Sequence, residues 1–298
     1  MLKHLEKMFE EARNYLLEIG WQEREEFEPN PEKPGDISAK FDLAVEKTVM
    51  DYCQREKLKV MLYTEERGKV RLAEKPDWTI FLDPVDGSVN FWRGIEGSAI
   101  AMAIAPGEVE IEKGFKIEEI KYALVGSVIS GSICYAQKEK GTFYKGIFNG
   151  FKEKRGFTSS QKDLENACVE MDLDFASVSP IEEISAEKSQ KIERVFPLIY
   201  PLRQVKFIRR NGSAALGLME VATGAIDAYI DARDRLTPEN WLAAYLLIKE
   251  AGGVFTDFEG KEVDEIRSFR ESGSFLASGN QELHKKILKC LKEKEISE

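Results

Sequence analysis

"FLDPVDGSVNF", residues 81–91, runs an apolar strand into two aspartates three positions apart, with a proline between them and a glycine directly after. Asp, Pro and Gly are ordinary turn residues, so the segment by itself predicts a tight turn and nothing more. Its neighbours add to that. "LKVMLYTEERG" (58–68) and "DWTIFLDPVDG" (77–87) share one design, a short apolar run with β-branched or aromatic residues that ends abruptly in acids and a glycine. Both read as buried strands with carboxylates exposed at their C-terminal ends. That is the side of an open α/β sheet where ligands bind.

Outward from these strands the pattern alternates. Leu2, Leu5, Phe9, Ala12, Leu16 and Ile19 recur at three and four, which predicts a helix with one apolar stripe. Residues 28–38, with three prolines and a glycine, read as a loop, and Phe41 to Cys53 resumes a helical period. Downstream, Ser98 to Tyr144 reads as antiparallel meander strands, with the charge-rich "PGEVEIEKGFKIEEIK" as a surface hairpin or insertion. A strand is expected over 166–174, and the polar stretch from Ser177 to Lys191 is expected to lead into a helix. Then come a small-residue helix (212–224), a strand (225–231), a helix ended by Gly-Gly (240–253), the strand and turn "VFTDFEG", and a final basic-faced helix. The expected division lies near residue 165: an α+β half, 1–165, carrying the acidic motifs, and an α/β half, 166–298, completing the site.

The 298 residues, 43% of them hydrophobic, suffice for one large domain or two ordinary ones. A net charge of −10 argues against nucleic acid or anionic lipid as partner. No apolar run approaches the roughly 20 residues needed to span a bilayer, and the charged N-terminus does not form a secretory core. Four cysteines stand far apart with no CxxC pair, as expected of reduced thiols in a cytoplasmic protein. The two histidines, His4 and His284, sit in helix-like terminal segments and are read as surface residues, which leaves any chemistry to carboxylates.

Glu65 and Glu66, Asp83 and Asp86, and Asp231 all fall at predicted strand ends, and Asp42 of "SAKFDLAVEKTV" adds another acid. Carboxylates gathered without matching lysines raise one another's pKa and are costly unless a cation is present. Mg²⁺ suits oxygen ligands and substrate phosphate. In "DPVDG" the proline fixes φ, so that Asp83 and Asp86 can point to one side with the Val85 carbonyl. A bridging carboxylate such as Asp83 can hold two ions ~3.5–4 Å apart for in-line phosphoryl displacement. Gly87 and Ser88 open the next segment, where N–H groups can receive a phosphate.

With these motifs the chain resembles the inositol monophosphatase superfamily, whose "GEE"-type acid pair, "DPIDGTTNF" and "WDxAAGxLIxxEAGG" correspond to "YTEERG", "LDPVDGSVNF" and "ENWLAAYLLIKEAGG". The resemblance also takes in "KEKGTFYKG", "GSAALGLMEVATGAIDAYID" and "LASGNQELHKKIL", so it spans most of the sequence. It implies an α+β, layered α-β-α-β-α sandwich of the sugar phosphatase type. It also implies a Mg²⁺-dependent phosphomonoesterase with two or three ions, a small phosphorylated metabolite as substrate, and a homodimer. By position, Glu65, Asp83 and the Val85 carbonyl would bind one ion, and Asp83 and Asp86 a second. Glu65 and Ser88 would activate water, with Asp42 in support. Gly87, Ser88, Gly212, Ser213 and Asp231 would contact phosphate or sugar hydroxyls. Arg209, with Arg210, reads either as a contact to a second phosphate or as a solvated basic pair. Candidate substrates are inositol monophosphates, fructose 1,6-bisphosphate, 3′-phosphoadenosine 5′-phosphate and NADP.

One position departs from the pattern. Where the family's late motif has a metal-binding aspartate, counting back ten residues from Glu250 of "EAGG" lands on Asn240, and aligning on Trp241 instead lands on Leu242. Asparagine offers Mg²⁺ an oxygen without the charge, and one unit-charge pair at 4 Å is worth about 4 kcal/mol at an effective dielectric of 20. The expectation is weaker binding of the second ion. Glu239 or Asp234 stand near enough in sequence to substitute. The alternative reading is a catalytically impaired member acting as a phospho-ligand or protein binding module.

Overall fold

A computed structural model describes residues 1–30, 37–172 and 204–292. The helices are α1 (Leu2–Tyr15), α2 (Lys40–Arg55), α3 (Ser88–Arg93), α4 (Ala214–Thr223), α5 (Pro238–Ala251) and α6 (Gln281–Lys292). The first sheet comprises β3 (Val60–Thr64), β4 (Gly68–Arg71), β5 (Trp78–Asp86), β6 (Ala99–Pro106), β8 (Tyr122–Ser127), β9 (Ile133–Gln137), β10 (Gly141–Lys145) and β11 (Lys154–Arg155). Its eight strands run in the order β11-β10-β9-β8-β6-β5-β3-β4. β3 and β5 are parallel and every other pairing is antiparallel. The second sheet has five strands in the order β13-β12-β14-β17-β15. They are β12 (Cys168–Asp172), β13 (Phe207–Arg209), β14 (Ala228–Leu236), β15 (Val254–Asp257) and β17 (Gly273–Ser278).

Period-two alternation assigns each strand face to a layer. Leu62, Ile80, Leu82, Ile100, Met102 and Ile104 point to α1 and α2, where Leu5, Met8, Phe9, Val45 and Val49 meet them. The opposite face of β6 carries Ala99, Ala101, Ala103 and Ala105, small enough to let α4 and α5 pack closely. Those middle helices also cover the inner face of the second sheet through Tyr229, Phe255, Phe275 and Ala277. Its outer face, with Val169, Met171, Ile230 and Leu276, packs against Leu283, Ile287 and Leu291 of α6. The result is the expected α-β-α-β-α order. Contact between α1 and the first sheet is tight at Gly126, where an added Cβ would lie 2.2 Å from the Phe9 ring.

Four sequence expectations are corrected. "PGEVEIEKGFKIEEIK" is no surface hairpin: Val109, Ile111, Phe115, Ile117 and Ile120 are buried in the middle core, and β7 (Phe115–Lys116) pairs with β16 (Glu265–Ile266). The flanks of the 28–38 loop pair as β1 (Phe27–Pro29) and β2 (Ile37–Ala39). His284 is 1% exposed, with its ring between Thr256 Oγ1 (2.9 Å) and Ser278 Oγ (2.8 Å), and burial lowers its pKa to about 4. His4 is half-buried against the Tyr52 hydroxyl at 2.9 Å. The helix expected after Ser177–Lys191 lies outside the described residues. Among the described residues, no helix is long and apolar enough to cross a membrane.

Candidate active site

Because β3 and β5 are parallel, their C-terminal ends emerge on the same side, which brings Glu65 toward Asp83 and Asp86. The "DPVD" segment is not a turn beyond the strand. β5 continues to Asp86, and its register against β6 shifts between Asp83 and Asp86. Pro84 has no N–H to give the ladder, and an irregularity of this kind re-aims the flanking side chains. Gly87 then takes φ +84°, and a Cβ there would lie 2.6 Å from the Gly97 carbonyl and 3.2 Å from both the Gly212 carbonyl and Ser213 Cβ. Only glycine lets the Gly212–Ser213 loop approach this closely.

Each acid is compensated differently. Asp86 Oδ2 accepts from Ser213 Oγ (2.5 Å) and the Ala215 N–H (2.7 Å), sitting at the N-terminus of α4 where the helix dipole favours an anion. Burial nevertheless pushes Asp86 up to about 6, with the Ser213 and Ala215 bonds opposing. Asp83 is 1% exposed. Its Oδ2 accepts from Asn240 Nδ2 at 2.9 Å, and its Oδ1 has no hydrogen-bond partner. Burial holds its pKa well above the usual carboxylate range, reinforced by the charges of Glu65, Asp86 and Glu239. Asp42, in the first turn of α2, is raised by burial and then by Glu65 and Glu66. The Ser88 hydroxyl lies 2.7 Å from the Val85 carbonyl and 3.3 Å from Asp42 Oδ1.

The two glutamates of "TEERG" separate. Glu66 Oε2 accepts from Asn30 Nδ2 (2.6 Å) and from Ser38 Oγ, tying β1 and β2 to the site, whereas the charge of Glu65 acts on both Asp42 and Asp83. Asp231, 0% exposed on β14, is engaged by Arg233, whose Nε lies 3.0 and 3.1 Å from the two carboxylate oxygens. The same guanidinium reaches Asp172, which also accepts from the Tyr229 hydroxyl at 2.7 Å. Arg209 lies exposed on β13, at the edge of the second sheet.

Sequence reasoning missed Asn90, Glu170, Asp172 and Arg233. Asn90 Nδ2 donates to the carbonyls of Gly97 (2.7 Å) and Asn211 (2.6 Å), and Glu170 accepts from the Asn211 backbone (3.1 Å) and side chain (2.9 Å). Together they hold the loop that delivers Ser213. Asn90 stood within the quoted motif, but nothing in the pattern linked Glu170, Asp172 or Arg233 to it.

Among the described residues, no group of three or more Asp, Glu, His or Cys side chains converges as a finished metal cage. What fits a cation is the unpartnered, buried Asp83 Oδ1 beside further acids whose charges raise its pKa. Leaving such an oxygen uncompensated is costly, and a hard divalent ion is the natural complement to it.

Known proteins resemble the chain over most of its length. The chain is 29% identical over 277 residues to a bifunctional NADP phosphatase/NAD kinase of Methanococcus maripaludis, a match that takes in 91% of this chain but 45% of that protein. The chain thus spans less than half the length of that relative. It is 26% identical to a fructose-1,6-bisphosphatase/inositol-1-monophosphatase of Methanothermobacter thermautotrophicus, over 84% of this chain and 82% of the relative. Among solved structures, the extragenic suppressor protein suhB of Bartonella henselae shares the fold, with a TM-score of 0.74 at 22% identity over 98% of both chains. The inositol monophosphatase family model matches residues 7–295, and the chain belongs to that family of phosphoric monoester hydrolases.

Proposed function

We propose that the protein is a Mg²⁺-dependent phosphomonoesterase acting on a small phosphorylated sugar or polyol, inositol monophosphate and/or fructose 1,6-bisphosphate. The observation that carries this reading is the buried Asp83 carboxylate, one oxygen unpartnered, among neighbouring acids in a chain of this family. Glu65, Asp83, Asp86 and the Val85 carbonyl are the groups that would hold Mg²⁺. When bound there, the ion supplies charge neutralisation and a more acidic water. The chain's own residues do the rest. Ser88, fixed by the Val85 carbonyl and near Asp42 Oδ1, orients a water and can relay its proton to Asp42, with Glu65 alongside. Gly87, Gly212 and Ser213 meet beside this hydroxyl and border the place for the phosphate.

The two halves, 1–165 and 166–298, share the work in this reading, with the acids on the first and the Ser213 loop and Asp231 on the second. The reading extends to a cytoplasmic homodimer. Phosphate release from inositol 1-phosphate, fructose 1,6-bisphosphate, 3′-phosphoadenosine 5′-phosphate and NADP, across a Mg²⁺ titration with a chelator control, tests it. Mg²⁺-dependent release from at least one is expected. Silence from all four, with folded protein and active controls, would refute it and favour a binding role.

A further inference from the structure

Asn240 occupies the third position of α5 and makes two kinds of contact. Its Oδ1 accepts from the Thr237 N–H at 3.1 Å, as in a capping box, and lies 3.1 Å from Thr237 Oγ1. This fixes the amide orientation, because a backbone N–H can only donate. Nδ2 therefore faces Asp83 Oδ2, to which it donates at 2.9 Å. One oxygen of Asp83 is thus occupied by a neutral donor held in place by the helix cap, and the other is unpartnered. The Oδ2 of Asp86 is likewise committed, to Ser213 and the Ala215 N–H.

We infer that the Asn240 amide stands in for a cation at Asp83, so that Asp83 carries a single divalent ion through Oδ1 and does not bridge two. The inference rests on the metal-dependent reading above and deepens it. To bridge with one oxygen on each ion, Asp83 would have to bind the second through Oδ2 alongside the hydrogen bond that Oδ2 already accepts from Nδ2, with the amide N–H in place of an anionic ligand to that ion. Replacing the amide by a carboxylate would set two anionic oxygens facing each other at about the present contact distance, an arrangement stable only with a cation between them. The helix itself tolerates such a change, since an acid in the first turn still accepts from the Thr237 N–H and suits the dipole.

Mn²⁺ titration of the full chain followed by electron paramagnetic resonance tests this without an activity assay. The unaltered protein is expected to give magnetically isolated Mn²⁺, with no spin-coupled pair of the kind produced by ions ~3.5–4 Å apart. Asn240→Asp is expected to bind one more Mn²⁺ per chain and to show the coupled pair. Its melting temperature should fall in chelator and rise with Mn²⁺ by more than that of the unaltered protein. A coupled pair in the unaltered protein overturns the inference, and that spectrum decides even if the variant does not fold. A folded Asn240→Asp that binds no additional ion also overturns it. If neither chain binds Mn²⁺, the metal-dependent reading falls as well, which separates its failure from that of the inference alone.

Discussion

Ser213→Ala isolates how the two halves of the site are joined. The Ser213 hydroxyl donates to Asp86 Oδ2 at 2.5 Å and accepts from the Leu216 N–H at 3.3 Å as the N-cap of α4. A hydrogen bond to a charged group contributes about 1.5–3 kcal/mol, and loss of an N-cap costs about 1 kcal/mol. The loss is therefore about 2.5–4 kcal/mol when Asp86 is ionised. An unfolding entropy near 2.1 cal/mol/K per residue makes each kcal/mol worth about 1.6 °C for 298 residues, so the expected drop in Tm is about 4–6 °C. The pH dependence separates the two contributions. Burial raises the Asp86 pKa to about 6 against an unfolded value near 3.8, so the cost of burying its charge is absent at low pH and is incurred as pH rises through about 6. Ser213 stabilises the ionised form, so its contribution is greatest above that window, while the capping contribution does not depend on pH. Calorimetry in chelator should show the full drop at pH 8 and about 1–3 °C at pH 5. Equal drops at both pH values would refute the assignment of the hydroxyl to the Asp86 charge.

Asp83→Asn removes a buried charge and keeps an acceptor for Asn240, so its Tm in chelator should match or exceed that of the unaltered protein. Its Mg²⁺-dependent stabilisation and at least 99% of its phosphate release should be lost, which thermal scans and turnover assays measure together. Arg233→Met leaves Asp231 and Asp172 buried without their shared cation, a cost of about 3–5 kcal/mol. Chemical denaturation should show that loss at pH 8 and a smaller one at pH 4, because burial raises the Asp231 pKa and favours its neutral form there. His284→Gln should cost about 1–3 kcal/mol at pH 7.5. The penalty should shrink at pH 5, because the neutral buried imidazole contributes stability above about 6.5 that is lost as pH falls through about 4, and denaturation at the two pH values gives the comparison.

The layered fold was legible where local pattern and packing coincide. Strands β3 and β5 announced themselves as apolar runs ending in acids, whereas their parallel pairing, with β4 folding back between them in sequence, is visible only in the fold. The segment from Val109 to Ile120 misled because its apolar residues are separated by charges, and what meets them is distant in sequence: Tyr63, Thr79 and Phe81 of the first sheet, and β16. His284 carried an unread signal, since it stands three and seven positions before Ile287 and Leu291 on the buried stripe of α6. Its hydroxyl partners, Thr256 and Ser278, come from two strands whose pairing the sequence does not reveal. Arg233 escaped for the same reason: it reaches Asp172 only because β12 and β14 lie side by side and parallel.

The uneven treatment of the acids narrows the place where chemistry can occur. Six carboxylates, Asp42, Glu66, Asp83, Asp86, Asp172 and Asp231, are buried here, and each would destabilise the fold if left charged and alone. Glu66 is held by Asn30 and Ser38, Asp86 by the start of α4, Asp231 by Arg233, and Asp172 by Arg233 and the Tyr229 hydroxyl through Oδ2, its Oδ1 also lacking a hydrogen-bond partner. Asp83 is left with one hydrogen bond and one empty oxygen, and Asp42 with a long contact to the Ser88 hydroxyl, both beside the charge of Glu65. A fold selected for stability alone would fill these positions with apolar or amide side chains. The residual strain is therefore concentrated where a cation and a water would relieve it; Asp86, held through Oδ2 alone, borders that place, and Glu66, Asp172 and Asp231 serve to hold it in shape.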